Sequence, residues 1–272
     1  AVDPLASFSR TIHGGSISGA QRKGLFRFDR ASAALIPSAA GSTHILKPRG
    51  DHPELPENEH VTMAIARRLR FKVPPVALVG VVLSVGPIFV IKRFDRIAAG
   101  KLLKEDAAQL LGIPSADKYT ASNERVAGAI ARRATKLDLN DFFRRLVFCY
   151  AIGNGDMHLK NWALLEDEAL TGAMRLSPCY DFLNTRLALP RESIDIGLAL
   201  RGKNRNLQGS YFRKFALGTL ELAPRYVESI FQELPVWQAT ISDLIGRSAL
   251  LPASKECYLQ IVAERLADLA RV

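Results

Sequence analysis

The stretch Gly153-Asn154-Gly155-Asp156-Met157-His158-Leu159-Lys160-Asn161 holds a carboxylate, a lysine and an amide in close succession. Lys160 follows Asp156 by four positions and Asn161 follows it by five. In a short turn, this spacing lets Asp156 face a hydroxyl nucleophile while the Asn161 amide oxygen reaches Mg²⁺ on a nucleotide. We expect Asp156 to orient the hydroxyl and accept its proton, Lys160 to neutralise the transferring phosphoryl group, and Asn161 to bind the metal.

A second metal ligand is predicted downstream, at Asp181. The apolar run that begins at Leu176 is typical of a short strand, and Asp181 follows it. Two hard oxygen ligands on either side of a basic loop are typical of a kinase. His158 could act as a base, but we expect it to support the loop beside the nucleotide by hydrogen bonding.

Composition is that of an ordinary globular protein, with 48% hydrophobic and 24% charged residues. The three cysteines, Cys149, Cys179 and Cys257, are widely spaced and odd in number, which argues against a disulfide framework or a zinc site. No targeting signal opens the chain, which begins without an initiator Met. These features favour the cytoplasm.

Charge and hydropathy limit the function classes. Val73 to Ile91 carries no charge, but prolines and glycines interrupt it, so two buried strands joined by a turn are expected and a membrane span is not. The net charge of +10 suggests an anionic partner such as ATP, a nucleic acid or an acidic protein face. The basic residues are dispersed, so a solvated basic surface is an equal alternative.

The pattern changes from strand-rich to helical near Phe94. Leu25–Phe28 and Thr43–Leu46 are short β-compatible runs, and Glu57–Phe71 has helical periodicity. We predict an α+β fold with a small β-rich lobe over 1–94 and a larger, mostly helical lobe over 95–272. Nucleotides commonly bind where such lobes meet.

From about Lys104 onward the pattern is helical, and at least three helices are predicted. Asp138 or Asn140 is expected to cap the first, which would end at Gly153. The other two lie near Pro224–Leu234 and Ser254–Ala270.

Several candidate nucleotide contacts lie upstream in chain order. The glycine- and serine-rich loop Gly14–Gly24 can bring backbone N–H groups close to phosphates, although a flexible hairpin has the same composition. Lys47 ends a predicted strand where it could pair with phosphates, and Glu59 on the next helix could pair with Lys47. The hinge would offer backbone groups to an adenine edge. The loop and hinge candidates are Ser18, Gly19, Ala20, Gln21, Lys23, Lys92, Arg93 and Phe94.

With these residues in order, the chain resembles the HipA family of bacterial toxin kinases, which have a bilobal protein-kinase-like fold. The resemblance runs almost end to end. It includes the loop Ser-Ile-Ser-Gly-Ala-Gln-x-Lys from Ser16 to Lys23, and the segments His44–Pro48, Glu57–His60, Arg93–Arg96, Lys118-Tyr119, Gly155–Asn161 and Pro178–Asp181. It implies a serine/threonine protein kinase that uses ATP and Mg²⁺.

Two features resemble the shorter HipT kinases of tripartite toxin systems. The chain begins almost at the glycine-rich loop, and the loop has two serines, Ser16 and Ser18. The resemblance implies that autophosphorylation of Ser16 and Ser18 controls activity. A phosphoserine adds roughly two negative charges, which would lie where the phosphates of ATP must bind.

Partners also follow from the resemblance: a helix-turn-helix antitoxin repressor and a small HipS-like protein. It implies an aminoacyl-tRNA synthetase as substrate, the tryptophanyl enzyme if the chain is HipT-like. Two alternatives stay open. A small-molecule kinase of the aminoglycoside phosphotransferase type shares the Gly-Asp-x-His-x-x-Asn pattern, and a kinase-like scaffold could bind a repressor and DNA without catalysis.

Overall fold

Strand-forming runs in the first third of the chain pair into a five-stranded antiparallel sheet of order β2-β1-β3-β5-β4. The computed structural model describes residues 23–38, 40–50, 52, 54–80, 86–189 and 194–271. The strands of this sheet are β1 Gly24–Asp29, β2 Ala34–Pro37, β3 His44–Pro48, β4 Val76–Val79 and β5 Ile88–Lys92.

Alternation along β5 gives this sheet two covered faces. Val90 packs with Phe26 and Leu46 on one face, and Phe89 and Ile91 join the main core on the other. The predicted pair of strands within Val73–Ile91 is present as β4 and β5. However, β4 is an edge strand with alternate residues exposed, so the expectation that both strands are buried is wrong for β4.

Helix α1, Leu55–Arg68, crosses the second face of the sheet and packs on β4 and β5. Pro56 in its first turn is preorganised for a helix start, and Arg67 and Arg68 complement the dipole at its end. Its buried side includes polar residues as well as Met63 and Ile65. Those polar side chains contact other parts of the chain, as described below.

The remainder of the described chain is mostly helical, with a small second sheet of order β10-β9-β8 and a short pair, β6 and β7. Its strands are β6 Arg96–Ile97, β7 Gly100–Lys101, β8 Lys104–Asp106, β9 Ala163–Glu166 and β10 Met174–Leu176. Its helices are α2 Ala107–Leu111, α3 Asn123–Arg133, α4 Lys136–Ala151, α5 Thr185–Ala188, α6 Gly209–Gly218, α7 Pro224–Gln232, α8 Leu234–Gly246 and α9 Pro252–Ala270.

Helix α4 starts earlier than the sequence pattern indicates. Thr135 is its N-cap, and the Asp138 carboxylate accepts hydrogen bonds from the Thr135 N–H and hydroxyl at 2.9 and 2.6 Å. Asp138 is therefore the third helical residue of a capping box, and the prediction that it or Asn140 caps the helix is wrong. The helix ends at Ala151, two residues before Gly153.

One core cluster connects the sheet with the helices. Phe71, just after α1, packs on Phe148 of α4 with ring centroids 4.8 Å apart and on Trp237 of α8 at 6.2 Å. The division of the chain after residue 94 stays a prediction. In the described ranges, no helix is both long and apolar enough to cross a membrane.

Candidate active site

Lys47 lies at the centre of the candidate site, between two carboxylates from distant parts of the chain. β3 carries its side chain into a buried position, where the ammonium nitrogen lies 2.7 Å from Glu59 Oε1 on α1. The same nitrogen lies 2.5 Å from Asp181 Oδ1, in the segment after β10. Three predicted site residues are thus brought into direct contact.

Burial and charge shift the pKa values of all three groups. Burial raises the pKa of Glu59 to about 7, although Lys47 acts against it. For Lys47, burial favours the neutral amine, but the two carboxylates outweigh it and raise the pKa above its ordinary value. Burial also opposes ionisation of Asp181, yet Lys47 holds the pKa of that carboxyl below its usual range. Lys47 and Asp181 are therefore charged at neutral pH.

The loop after α4 holds its shape through its own side chains. Gly153 has a φ of +71°, and a Cβ there would lie 2.8 Å from Ile261 Cγ2, so this bend requires glycine. The Asn154 side-chain oxygen accepts the Asp156 N–H at 3.1 Å. The Asn161 side-chain nitrogen donates to the Asp156 carbonyl at 2.8 Å. Because the side-chain nitrogen makes this bond, the side-chain amide oxygen of Asn161 is the atom that could bind a metal.

Asp156 itself is largely buried and accepts a hydrogen bond from the Tyr119 hydroxyl. Neighbouring Lys118 lies within electrostatic range of Asp156, Asp181 and Lys160. Burial lowers the pKa of Lys118, and Lys160 adds to that effect while the two carboxylates oppose it. Two carboxylates and two ammonium groups therefore share this part of the site.

Asp181 is held close to the same loop. Its φ of +55° is in the left-handed region, which few residues other than glycine, asparagine and aspartate adopt readily. Asn154 donates to the Asp181 carbonyl at 3.4 Å, and the Tyr180 hydroxyl donates to the Lys160 carbonyl at 2.8 Å. The two loops that carry the predicted metal ligands are thus connected.

His158 is an inner part of the loop, only 2% exposed, with its ring edge against Tyr119 at a centroid distance of 5.2 Å. Burial lowers the pKa of His158 to about 3, and the charge of Lys118 adds to this effect. The ring is therefore neutral at physiological pH. This environment favours the supporting role over a role as base.

Lys160 extends away from the loop toward Ser115, with its ammonium donating to the Ser115 hydroxyl at 2.9 Å. Its side chain is half-buried.

The predicted hinge differs from expectation. The Lys92 N–H donates to the Pro75 carbonyl at 2.9 Å and the Arg93 N–H donates to the Thr43 carbonyl at 2.8 Å, so neither is available to an adenine edge. The Arg93 guanidinium is paired through two hydrogen bonds with Asp95, at 3.0 and 2.7 Å. The Phe94 ring packs on Tyr180, with centroids 5.5 Å apart. Strand pairing, which the sequence alone does not show, uses these two amides.

Part of the predicted phosphate loop lies outside the described residues: Ser16, Ser18, Gly19, Ala20 and Gln21. Lys23 is described and exposed. Its charge acts on Glu59, Asp181 and Lys118, which places it within electrostatic range of the candidate site.

The residues present fit a nucleotide-bound magnesium ion better than a metal held by protein alone. Among the described residues, no group of three or more His, Cys, Asp and Glu side chains could hold a metal. Asp181 and Asn161 instead offer one carboxylate and one amide oxygen, and Mg²⁺ commonly takes its other ligands from phosphate and water. Such a donor set suits a metal that arrives with ATP.

Several residues that shape the site have no role that the sequence pattern predicts. Tyr119 binds Asp156, Asn154 connects the two loops, and Tyr180 joins Lys160 to the segment that carries Asp181. The Lys104 ammonium lies over the Tyr180 ring, 4.8 Å from its centroid. The pair Lys118-Tyr119 was visible as part of the resemblance, but no spacing rule indicates that its hydroxyl reaches Asp156.

Comparison with solved structures shows the fold. The chain is similar to HipA of Shewanella oneidensis MR-1, solved with HipB and its operator DNA, with a TM-score of 0.76, 21% identity, and coverage of 97% of this chain and 67% of that one. It is also similar to the Helicobacter pylori proinflammatory kinase CtkA, with a TM-score of 0.57, 14% identity, and coverage of 86% and 90%. The fold is therefore the α+β, kinase-like fold of these two proteins.

Curated relatives carry kinase names. "Putative kinase Y4dM" of Sinorhizobium fredii (strain NBRC 101917 / NGR234) is 40% identical over 185 residues, which are 62% of this chain and 45% of that protein. A "Putative kinase" of Haemophilus influenzae (strain ATCC 51907 / DSM 11121 / KW20 / Rd) is 29% identical over 259 residues, 82% of this chain and 73% of the relative. The chain thus spans less than half the length of Y4dM.

The family model that describes the HipA-like C-terminal domain matches residues 15–240. This range includes the glycine-rich loop, Lys47, Glu59, the loop of Asp156 and Asn161, and Asp181. The chain belongs to the family of the HipA-like C-terminal domain.

Proposed function

We propose that this protein is a serine/threonine protein kinase that transfers the γ-phosphoryl group of ATP to a protein hydroxyl. The observation that carries the proposal is the contact of Lys47 with both Glu59 and Asp181, beside a loop that holds Asp156 and Asn161. A lysine fixed between two carboxylates is positioned to bind phosphate oxygens, and a nearby carboxylate can receive the proton of the attacking hydroxyl.

Each residue has a distinct part in this mechanism. Asp156 orients the substrate hydroxyl and accepts its proton as the oxygen attacks, and ADP leaves. Asn161 and Asp181 would hold Mg²⁺, which would neutralise charge on the phosphates. Lys47 binds the α and β phosphates. Lys160 turns from Ser115 to the transferring group, a rotation that its half-exposed side chain permits.

The nucleotide lies between the β-rich lobe, 1–94, and the helical lobe, 95–272, in this proposal. The phosphate contacts come from Ser18, Gly19, Ala20, Gln21 and Lys23. The base contacts come from the carbonyl oxygens of Lys92 and Arg93 and from Phe94. The N–H groups of Lys92 and Arg93 are not used, because they already donate to the Pro75 and Thr43 carbonyls. His158 supports the loop from within.

Regulation and partners extend the proposal through the family resemblance. Autophosphorylation of Ser16 and Ser18 would place negative charge where ATP phosphates bind, and so reduce activity. The protein would act as the toxin of a toxin–antitoxin system in the cytoplasm, with a HipB-like repressor and a HipS-like small protein as partners. Its substrate would be an aminoacyl-tRNA synthetase, the tryptophanyl enzyme if the chain is HipT-like. The structure of Shewanella HipA with HipB and operator DNA supports a repressor partner.

Substitution of the two aspartates tests the proposal. Asp156→Asn and Asp181→Asn are each expected to reduce ATP-dependent phosphorylation of proteins in a cell lysate by at least about 100-fold, because the first removes the base and the second a metal ligand. Radiolabelled ATP measures the transfer, and mass spectrometry of the same samples reads phosphate on Ser16 and Ser18. Asp243→Asn, at an exposed position in α8, is the matched control.

Three other outcomes would count against this proposal; the first and the last would each select one of the two alternatives. Transfer to amino-alcohol compounds, without transfer to proteins, would indicate a small-molecule phosphotransferase. Full transfer by Asp156→Asn would refute its role as base. Absence of any transfer by the wild type, with repressor binding intact, would leave a non-catalytic scaffold.

A further inference from the structure

A basic turn follows the segment that packs on the candidate catalytic loop. We define it by Arg201, Gly202, Lys203, Asn204 and Arg205, whose three charged side chains are all exposed. Among the described residues, none of these three side chains has an ion-pair partner. The Lys203 ammonium instead donates to the Tyr211 hydroxyl at 2.5 Å and lies over its ring.

The backbone of the basic turn has a specific shape. Leu200 and Lys203 exchange N–H···O=C bonds at 2.7 and 3.0 Å, which makes a two-residue hairpin. Both central residues have positive φ, +50° at Arg201 and +77° at Gly202, as in a type I′ turn. Asparagine, aspartate or glycine normally occupies the first central position. The positive φ therefore costs conformational energy at Arg201, and the fold itself gives no reason for an arginine there.

The base of the turn is fixed. Leu198 and Leu200 are buried, and the Asn123 side chain donates to the Leu198 carbonyl at 2.8 Å. The Glu124 carboxylate accepts the Arg201 N–H at 2.7 Å. The arginine and lysine side chains therefore extend from a rigid support, which lowers the entropic cost of ordering a partner on them.

The turn follows, after a few residues, a segment that contacts the catalytic loop in space. A Cβ at Gly197 would lie 2.9 Å from the Gly155 carbonyl oxygen and from the Met157 carbonyl, so this segment and the loop are in backbone contact. Arg201 follows Gly197 by four positions, a span of at most about 14 Å in extended chain. A peptide whose hydroxyl reached Asp156 could therefore reach the turn within a few residues if it extended in that direction.

The surrounding charge is mostly positive. The hydrogen bond from Lys203 lowers the pKa of Tyr211, and the charges of Lys203, Lys214 and Arg201 act in the same direction. Glu124 is one acidic group in contact with the turn, against the three cations of Arg201, Lys203 and Arg205. The cluster therefore favours a partner with several negative charges.

We propose that the basic turn is a docking surface for an acidic segment of the protein substrate, with acidic residues about three or four positions from the phosphorylated hydroxyl. This inference rests on the proposed function, because it places the substrate hydroxyl at Asp156. Exposed ion pairs are individually weak, so three of them together are expected to change affinity by about tenfold.

Fluorescence anisotropy tests the docking surface with three labelled probes. The first is a peptide with one serine and several glutamates, the second has glutamine at each glutamate, and the third is a single-stranded RNA of equal length. The wild type is expected to bind the acidic peptide about tenfold more tightly than the neutral one, and the difference should shrink as salt is raised. The triple variant Arg201→Gln/Lys203→Gln/Arg205→Gln is expected to lose the difference.

The matched control removes the same charges elsewhere. Arg132→Gln/Lys136→Gln/Arg225→Gln changes three exposed positions on α3, α4 and α7 and is expected to keep the peptide preference. An equal loss in this control would show a general charge effect and overturn the proposal. So would no preference in the wild type, or tighter binding of RNA than of the acidic peptide through the same turn. Circular dichroism verifies that both triple variants are folded.

The failure of this inference can be distinguished from failure of the proposed function. Asp156→Asn is expected to keep the peptide preference, because docking does not require phosphoryl transfer. Preference at the turn without any transfer by the wild type would refute the kinase proposal and leave a docking surface. Transfer to proteins without any acidic preference would refute the docking surface alone.

Discussion

Lys47 connects three separate parts of the candidate site: its own strand β3, helix α1 and the segment after β10. Its ammonium contacts a fully buried carboxylate on α1 and a partly exposed one after β10. Removing one partner of a buried ion pair costs more than removing both, because the remaining charge is desolvated without compensation. The role of Lys47 in stability can therefore be separated from its role in phosphate binding.

Lys47→Met is expected to lower the free energy of unfolding by up to about 3–5 kcal/mol at pH well above 7, where Glu59, whose pKa is about 7, is ionised and loses its cation. Adding Glu59→Gln should recover part of that loss, because an amide is cheaper to bury than a carboxylate. Urea denaturation measures both variants. If the double variant is no more stable than Lys47→Met, the buried charge of Glu59 is not the source of the loss.

The buried imidazole of His158 predicts a stability change with pH. Its pKa is about 3 in the folded protein and about 6.5 when unfolded, so between these values only the unfolded chain binds the proton. The stabilisation is complete above about pH 6.5 and is lost as pH falls toward 3. At about pH 5.5 the loss is on the order of 1 kcal/mol. Thermal melts from neutral to acidic pH should show a smaller change in His158→Gln than in the wild type; equal changes would contradict this.

Sequence spacing was sufficient for some contacts at this scale and insufficient for others. Lys47, Glu59 and Asp181 were predicted as site residues, and the structure places them in contact. The Tyr119 hydroxyl on Asp156 was not predicted, since the two residues meet only through the packing of a loop between helices. The catalytic assignments stay predictions.

At the scale of elements, α1 is notable for the polar residues on its buried side. Asn58 and Asn184 exchange two hydrogen bonds, at 2.8 and 2.9 Å, between α1 and the segment after Asp181. The Thr62 and Tyr258 hydroxyls are 2.9 Å apart, which connects α1 to α9. Helical periodicity predicted the helix but not these contacts, because their partners lie far along the chain.

The backbone contact between Gly197 and the candidate catalytic loop predicts that a side chain at position 197 disturbs the loop. Gly197→Ala places a methyl group 2.9 Å from backbone atoms of Gly155 and Met157, so one segment must shift. We expect a loss of about 1–3 kcal/mol in stability and reduced phosphoryl transfer. Gly218→Ala, where a Cβ meets nothing within 4 Å, is the control. Wild-type stability and transfer in Gly197→Ala would show that the loop adjusts freely.

At the scale of the whole molecule, the main core crosses the proposed division between lobes. Phe71, Phe148 and Trp237 pack together, although they belong to the turn after α1, to α4 and to α8, respectively. The order of strands and helices predicted an α+β fold with its strands first, and this is confirmed. How far the two parts share a core was not predictable, since it depends on which apolar faces meet.

This shared core predicts cooperative unfolding. Calorimetry of the whole chain should give one transition, with a calorimetric enthalpy equal to the van't Hoff enthalpy. Two resolved transitions, or a calorimetric enthalpy well above the van't Hoff value, would show that the β-rich part unfolds separately.

The hydrogen bonds between Asn58 and Asn184 also bear on how such a protein can be switched off. Any inactive form that swings α1 outward must break both bonds, at a cost of about 1–3 kcal/mol for each group that stays buried without a partner. Helix displacement is therefore an expensive off-state for this chain. Inhibition that blocks nucleotide entry leaves the hydrogen bonds between Asn58 and Asn184 intact and does not carry this free-energy cost.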